Sequence, residues 1–552
     1  MFKPMITHSI LNDVVGPVMT GPSSSHTAAP CRIGKAVSLL WGERVQRADV
    51  VFDAAGSYPS TYIGQGSDMG FTGGLMGFLP EDPNLRCALD FARQQKRDIR
   101  FTTGKLSSRH PNEARLDIWE NDGRCAMSVL SFSTGGGSFR LVELDGFPIS
   151  YDGCSDRFYL AVSPGLGTTA ARATLQTAGV DFCVLRADPC ATTFPCFPAA
   201  SVEEAVLLEV EGSALTPELR ASLAAGPEVF WARDLPHISP VVHRAGAGLP
   251  FTDAAGALAR AKDTGEDMSA LALAYECAWG LICPDEVRRQ MAGVLEVMRQ
   301  SASPVPAGYE SHFRMVIPKG GDLLYKAVEA PVLDLGAMEK SAAMAVSVLE
   351  NSSARRRIVA APTAGSSGVL PGTVVCLGDA LGCSDDAMID ALLAAGLVGS
   401  FISNNATFAA ESAGCQAEIG SAACMAAAGV VQLLGGTIDQ GFAAASLAMQ
   451  HYLGLICDPV AGCAEVPCIA RNALAASAAV TAAVIAMHGF DAIIPLDEAV
   501  TAMAQVGRTL PDSLRCTCRG GLCLTPTGQQ IQKRVSLANA ADGVASSNIH
   551  NI

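Results

Sequence analysis

Residues 157–234 read RFYLAVSP (157–164), GTTAARATLQTAG (167–179), DFCVLRAD (181–188), EAVLLEVE (204–211), TPELRASLAAG (216–226) and PEVFWARD (227–234). The first, third, fourth and sixth runs are short, apolar and flanked by Gly, Pro or Asp, which predicts strands. The second and fifth are Ala-rich and read as helices. The resulting order, β-α-β-β-α-β, is the split βαβ plan of ferredoxin-like modules, which small ligand-sensing domains often use.

The chain differs on either side of this module. Residues 1–150 mix short β-like runs with Gly-rich loops, as in VVFDAAGSY (50–58), MSVLSFSTGGG (127–137) and FRLVELDGF (139–147), and fit an α/β or α+β unit. From about residue 250 Ala and Gly rise, Lys nearly disappears, and apolar residues recur at helical spacing from Phe251 to Gln300. The last part reads as an all-α domain whose central helices are apolar all round and therefore buried. A chain of 552 residues has room for about three to four domains.

Composition narrows the function. Hydrophobic residues make up 49% against 17% charged, which excludes a disordered chain. The 39 basic and 54 acidic residues leave a net charge of −15 with no basic block, so neither nucleic acid nor an anionic membrane is an expected partner. The opening MFKPMITHSILNDVVGP lacks the apolar core of a secretory signal. Two stretches without formal charge, 419–438 and 472–490, are rich in Ala, Gly, Ser and Thr and read as closely packed buried helices rather than membrane spans. Nineteen cysteines, an odd number, fit a reducing cytoplasm.

Three of these cysteines lie in unusual settings: Cys415 in SAGCQAEIGSA, Cys457 in GLICDPVAG and Cys468 in AEVPCIARNA. Prolines beside the last two place them at helix ends or turns, where thiolates are favoured. Three thiolates could hold a [4Fe–4S] cluster with one iron open to act as a Lewis acid. They could equally be three core thiols. The C-x-C-x4-C run of Cys516, Cys518 and Cys523, with Cys463 nearby, is a further source of metal ligands.

Anion and proton-transfer candidates cluster in loops. GPSSSHT (21–27) offers the hydroxyls of Ser23, Ser24, Ser25 and Thr27 to a carboxylate, with His26 as a possible base, or it caps the next helix. In PTAGSSG (362–368) the small residues around Gly365 let backbone N–H groups curl around an anion, and Thr363, Ser366 and Ser367 add hydroxyls. Asn404 and Asn405 supply amides within an apolar segment, for a ligand or for a cap. HPN (110–112) offers His110 as another base beside Asn112, and Asp68 could orient a base.

Together these segments resemble the iron–sulfur-dependent L-serine dehydratases (L-serine ammonia-lyases). The likeness is carried by GPSSSHT, SYPSTYIGQGSD (57–68), HPN and VELDGF (142–147). It continues through GGD (320–322), APTAGSSGVLPGT (361–373), NNAT (404–407), GCQAEIGSA (414–422), CDPVAGCAEVPC (457–468) and GGLCLTPTG (520–528). It implies a multidomain β–ACT–α fusion: a β-type domain at 1–150, a ferredoxin-like ACT regulatory domain at 151–235, and a helical α-type catalytic domain at 236–552. It also implies that Cys415, Cys457 and Cys468 hold a [4Fe–4S] cluster, and that a small amino-acid substrate, L-serine, is converted to pyruvate and ammonia. A homodimer with an amino-acid effector at the ACT-like domain follows from the same likeness.

Pyridoxal phosphate is not expected, since no lysine occurs between Ser341 and Gln532. The family's G-H-G-T-D segment appears here as GQGSD (64–68), with Gln65 in place of a histidine, and cysteines replace polar or small residues at 516–523. These departures keep open L-cysteine desulfidation, dehydration of another β-substituted amino or hydroxy acid, and a non-catalytic amino-acid or redox sensor.

Overall fold

The computed structural model describes residues 7–42, 44–188, 191–193, 205–243, 248–309, 315, 320–329, 331 and 333–541. Its strands are β1 (Val18–Thr20), β2 (Arg47–Asp53), β3 (Asp98–Gly104), β4 (Glu113–Trp119), β5 (Cys125–Gly135), β6 (Ser138–Leu144), β7 (Phe147–Tyr151), β8 (Arg157–Val162), β9 (Phe182–Arg186), β10 (Val206–Glu211), β11 (Val229–Leu235) and β12 (Arg357–Val359).

The N-terminal sheet has the order β3-β2-β4-β5-β6-β7; β2 and β3 are parallel and the other neighbours antiparallel. Alternation along β2 buries Ala48, Val50 and Phe52 beneath the helix Ala29–Trp41, whose Ile33, Val37 and Leu40 share the same core. Glycines let that helix lie against Ser67–Leu75: a Cβ on Gly74 would stand 2.1 Å from the Cys31 carbonyl oxygen, and one on Gly70 2.5 Å from that of Thr27. The GQGSD turn is thereby held beside the serine-rich loop.

The second sheet, β11-β8-β10-β9, is antiparallel, with helices Leu166–Thr177 and Pro217–Ala224 completing the expected β-α-β-β-α-β order. Residue 204 and its predecessors from 194 lie outside the described residues. Strand β8 is apolar without alternation because both its faces are covered. Phe158, Leu160 and Val162 pack with the module's own helices, whereas Tyr159 and Ala161 join the core of the larger sheet. Arg233 fastens the two sheets through Asp145 at 2.9 Å.

From Ala254 onward the described chain is helical apart from β12 and short connections. The central helices Asp385–Asn405 and Ser421–Leu433 are almost wholly buried. Two corrections apply. The C-terminal region is not purely α: Arg357–Val359 pairs antiparallel with Val18–Thr20, a ladder too short for any sequence pattern to reveal. The stretch 472–490, expected to be buried, belongs to a helix, Cys468–Met487, that buries Asn472, Ala475, Ala479 and Ala483 but leaves Leu474, Val484 and Ile485 exposed. It and Asp385–Asn405 are the two described helices long and apolar enough to cross a membrane; 83% of the apolar window is buried in Asp385–Asn405 and 33% in Cys468–Met487.

Residues 10–14, ahead of the first strand, lie in the helical core. Ile10 and Val14 lie against glycines of Asp385–Asn405, where Cβ atoms on Gly396 and Gly399 would approach them to 2.4 and 2.2 Å. Glu276, fully buried on helix Met268–Gly280, accepts from the Ser9 hydroxyl and from Ile10 N–H at 2.7 Å. Burial raises its carboxyl to about 7 against the pull of those hydrogen bonds. Because the unfolded chain gives up this proton first, at about 4.5, Glu276 costs stability progressively as pH rises through that window. In urea titrations, Glu276→Gln should therefore gain on the wild type, by up to about 3 kcal/mol, as pH rises from 5 to about 7, and no further above it. A constant difference across that range would contradict the assignment.

Candidate active site

The loops that follow β1 and β12 leave opposite ends of the short ladder and meet again. Ala364 N–H donates to Ser24 Oγ at 3.2 Å, joining GPSSSHT to PTAGSSG. The turn between β5 and β6 closes on the same place, since a Cβ on Gly136 would stand 3.0 Å from the Pro362 carbonyl oxygen.

His26 is completely buried at this junction. Its Nδ1 lies 2.9 Å from Ser25 Oγ and 3.3 Å from Glu411 Oε1, and Ser25 Oγ donates to the same carboxylate at 2.7 Å. Its Nε2 lies 2.8 Å from Thr61 Oγ1, which also reaches the Ser57 carbonyl oxygen at 2.7 Å. The Thr61 hydroxyl thus has two acceptors within reach, so Nε2 can keep its hydrogen or present a lone pair without losing its partner. Burial alone would raise the Glu411 carboxyl; hydrogen bonds and charge from His26, with Ser25, reverse this and bring it to about 2.

A group of cysteine thiols gathers near Glu411, whose charge reaches Cys516. Cys415 follows Gly414, whose φ of +76° turns the chain where the Leu455 carbonyl oxygen leaves no room for a side chain. Cys457 is fixed by backbone hydrogen bonds: its N–H donates to Leu514 O and its carbonyl accepts from Cys516 N–H, both at 2.9 Å. Cys468 begins the helix Cys468–Met487, behind Pro467. One turn later Arg471 hydrogen-bonds Ile456 O at 3.1 Å and Asp458 at 3.0 Å, with its guanidinium charge facing all three thiols. Sulfur and carboxylate ligand atoms of Cys415, Glu418 and Cys457 lie within 4.8 Å of one another.

This donor set fits an iron–sulfur cluster: several buried thiols converge, and a half-buried arginine offsets their negative charge. Glu418 is the odd member. Removal from bulk water, then the proximity of Cys415 and Glu411, raises its carboxyl well above the usual range.

The other expected residues distribute as follows. Ser23 accepts from His26 N–H at 3.1 Å, and Thr27 donates to Gln65 O at 2.7 Å; both shape the loop. Thr363 and Ser366 bond one another at 3.0 Å, and Gly365 lies against Glu418. Ser367 Oγ and both amide atoms of Asn112 are buried without a hydrogen-bond partner among the described residues. His110 stacks on Phe132 and senses the charge of Glu411; burial lowers its basicity. Asp68 accepts from Met69 N–H at the start of its own helix. The Asn404 and Asn405 amides are engaged elsewhere, with His8, Tyr275, Phe401 and Thr252.

A cleft lined by Pro22, Gly64, Cys463 and Glu465 adjoins these loops, while a larger cavity of about 510 Å³ at Arg299, Tyr325 and Asp379 contains no thiol and lies apart from this chemistry. Glu411 and Arg471 were not among the expected residues, although the sequence marks them. Glu411 is the sole formally charged residue between Asp390 and Glu418, and Arg471 the sole one between Glu465 and Asp491. An isolated charge in an apolar run needs a buried partner.

Residues 206–523, beginning within β10 and spanning every thiol of the site, match the family described as serine dehydratase alpha chain. The chain belongs to that family. A probable L-serine dehydratase alpha chain of Bacillus subtilis is 39% identical over 259 residues, 46% of this chain and 84% of the relative. The L-serine dehydratase alpha chain of Peptoniphilus asaccharolyticus is 37% identical over 250 residues, 45% and 86% of the respective chains. L-serine dehydratase 1 of Escherichia coli is 33% identical over 290 residues, 50% of this chain and 62% of the relative. In this serine dehydratase alpha-chain relative, His26 comes from the preceding region, so the site is assembled by both halves of one chain.

Glu411→Gln tests that assembly. The carboxylate's stabilisation is present above about 4.5, its unfolded value, and is lost only as pH falls through about 2. At pH 7 the variant should lose about 1–3 kcal/mol in chemical denaturation. An unchanged midpoint would contradict the role given to the contact.

Proposed function

We propose that the chain is an L-serine ammonia-lyase, releasing pyruvate and ammonia, with a [4Fe–4S] cluster on Cys415, Cys457 and Cys468. The observation that carries this reading is the buried His26–Glu411 pair set against a convergent group of thiols within the family's matched region. When bound, the cluster supplies a Lewis acid that makes hydroxide a better leaving group.

The protein's own groups do the rest. Ser367 and Asn112 bring unpartnered polar atoms to the substrate, and the backbone around Gly365 holds its carboxylate. His26 Nε2 takes the α-proton, with Thr61 turning its hydroxyl to the Ser57 carbonyl as the ring gains that proton. Glu411 keeps Nδ1 oriented and neutralises the imidazolium formed. The aminoacrylate released by loss of water tautomerises and hydrolyses in solution.

In the same reading, residues 1–150 form a β-type unit and 151–235 an ACT-like regulatory module. The enzyme is a cytoplasmic homodimer that takes an amino-acid effector at that module. The β-α-β-β-α-β sheet order supports the module's assignment.

Protein purified without oxygen should contain iron and sulfide and release pyruvate from L-serine. His26→Ala should lower kcat about 10²–10⁴-fold with iron content unchanged. Iron-loaded protein that yields no pyruvate, or a His26 variant that retains full turnover, would overturn the reading.

A further inference from the structure

The thiol group contains a fourth member. Cys516 is 4% exposed, and its thiol and that of Cys415 both act on the thiol of Cys457. This closeness is built by the backbone. Residues 514–516 pair with residue 457 through Cys457 N–H to Leu514 O and Cys516 N–H to Cys457 O, forming a parallel bridge between Cys457 and Arg515. A left-handed φ of +56° at Cys516 turns the chain immediately after this pairing.

Two residues of the N-terminal region close on Cys516 from the opposite side. Gln65 Nε2 donates to its sulfur at 3.6 Å, and Ser57 Oγ donates to its carbonyl oxygen at 2.9 Å. Cys518 and Cys523, by contrast, direct their thiols to the Pro459 carbonyl oxygen, at 3.5 and 3.2 Å, and to each other. Cys516 therefore belongs to the cluster group and its two neighbours form a separate pair.

We propose that Cys516 is the fourth thiolate ligand of the resting cluster, and that Gln65 holds its sulfur in place. The proposal rests on the cluster reading above and changes it, because no iron is then open before substrate arrives. On binding, the Cys516 thiol gives its proton to solvent and a sulfur lone pair forms the bond to iron. When substrate displaces it, that bond breaks, the thiolate recovers a proton, and no electron is transferred. Glu418 is the competing donor, but iron in a sulfide cluster prefers a thiolate to a carboxylate. Gln65, which cannot serve as a base, acquires a role as a positioning residue for the displaced ligand.

The test uses full-length protein loaded with ⁵⁷Fe under anaerobic conditions and examined by Mössbauer spectroscopy. Without substrate the wild type should show no iron with a distinct non-thiolate environment, and L-serine should create one. Cys516→Ala should show the distinct iron before serine is added, and mild ferricyanide oxidation should remove it, leaving a three-iron cluster detectable by electron paramagnetic resonance. Wild-type protein with a cluster whose distinct iron is present from the start, unchanged by Cys516→Ala, overturns this proposal alone. A distinct iron present in the resting wild type that Glu418→Gln alters and Cys516→Ala does not assigns the position to the carboxylate and also overturns it. Protein that takes up no iron overturns the cluster reading and this proposal with it. A distinct iron in the resting wild type overturns the proposal even if the alanine variant fails to fold.

Discussion

A carboxylate with no water around it must find a positive or hydrogen-donating partner, and Glu411 finds His26 and Ser25 from a distant part of the sequence. Much of the site's architecture serves this contact. The β1–β12 ladder brings the two loops into register, the glycine-mediated packing of Ser67–Leu75 on Ala29–Trp41 fixes the base of the serine-rich loop, and Gly136 lets the sheet's turn close over Pro362. Because each half contributes one member of the pair, neither half can complete the site alone.

The thiols obey a related constraint. Several sulfurs packed together resist ionisation unless a cation or metal compensates them, and the half-buried Arg471 guanidinium supplies part of that compensation from the first turn of a helix. Asp458 then serves two purposes: it pairs with Arg471 at 3.0 Å and accepts from Leu522 N–H at 2.9 Å. The segment bearing Cys516 is thereby tied to the segment bearing Cys457. Positioning of ligands and closure of the site are thus one structural problem with one solution.

The fold was legible where pattern and length agree. The β-α-β-β-α-β series could be read because each run is long enough to show its period. The ladder of Val18–Thr20 with Arg357–Val359 could not, since three residues carry no periodicity. The insertion of Ile10–Val14 into the helical core was hidden because its partners are glycines and a buried glutamate far along the chain. At the site, local sequence marked Cys415, Cys457, Cys468 and His26 as candidates, and the resemblance raised the three cysteines to cluster ligands. Composition alone held a signal for Glu411 and Arg471 as solitary charges. Nothing local could tell Cys516 from Cys518, because the distinction arises from backbone pairing with a residue 59 positions earlier. Asn404 and Asn405 show the converse, polar residues whose partners turn out to be neighbouring backbone and side-chain groups.

The central claim is that one chain assembles an iron site from its C-terminal thiols beside a histidine from its N-terminal region. Diffraction at the iron absorption edge, from crystals grown and frozen without oxygen, tests it most directly. The account predicts anomalous density within bonding distance of Cys415, Cys457 and Cys468. Iron located elsewhere, or thiols packed on one another with no iron after anaerobic loading, would contradict it.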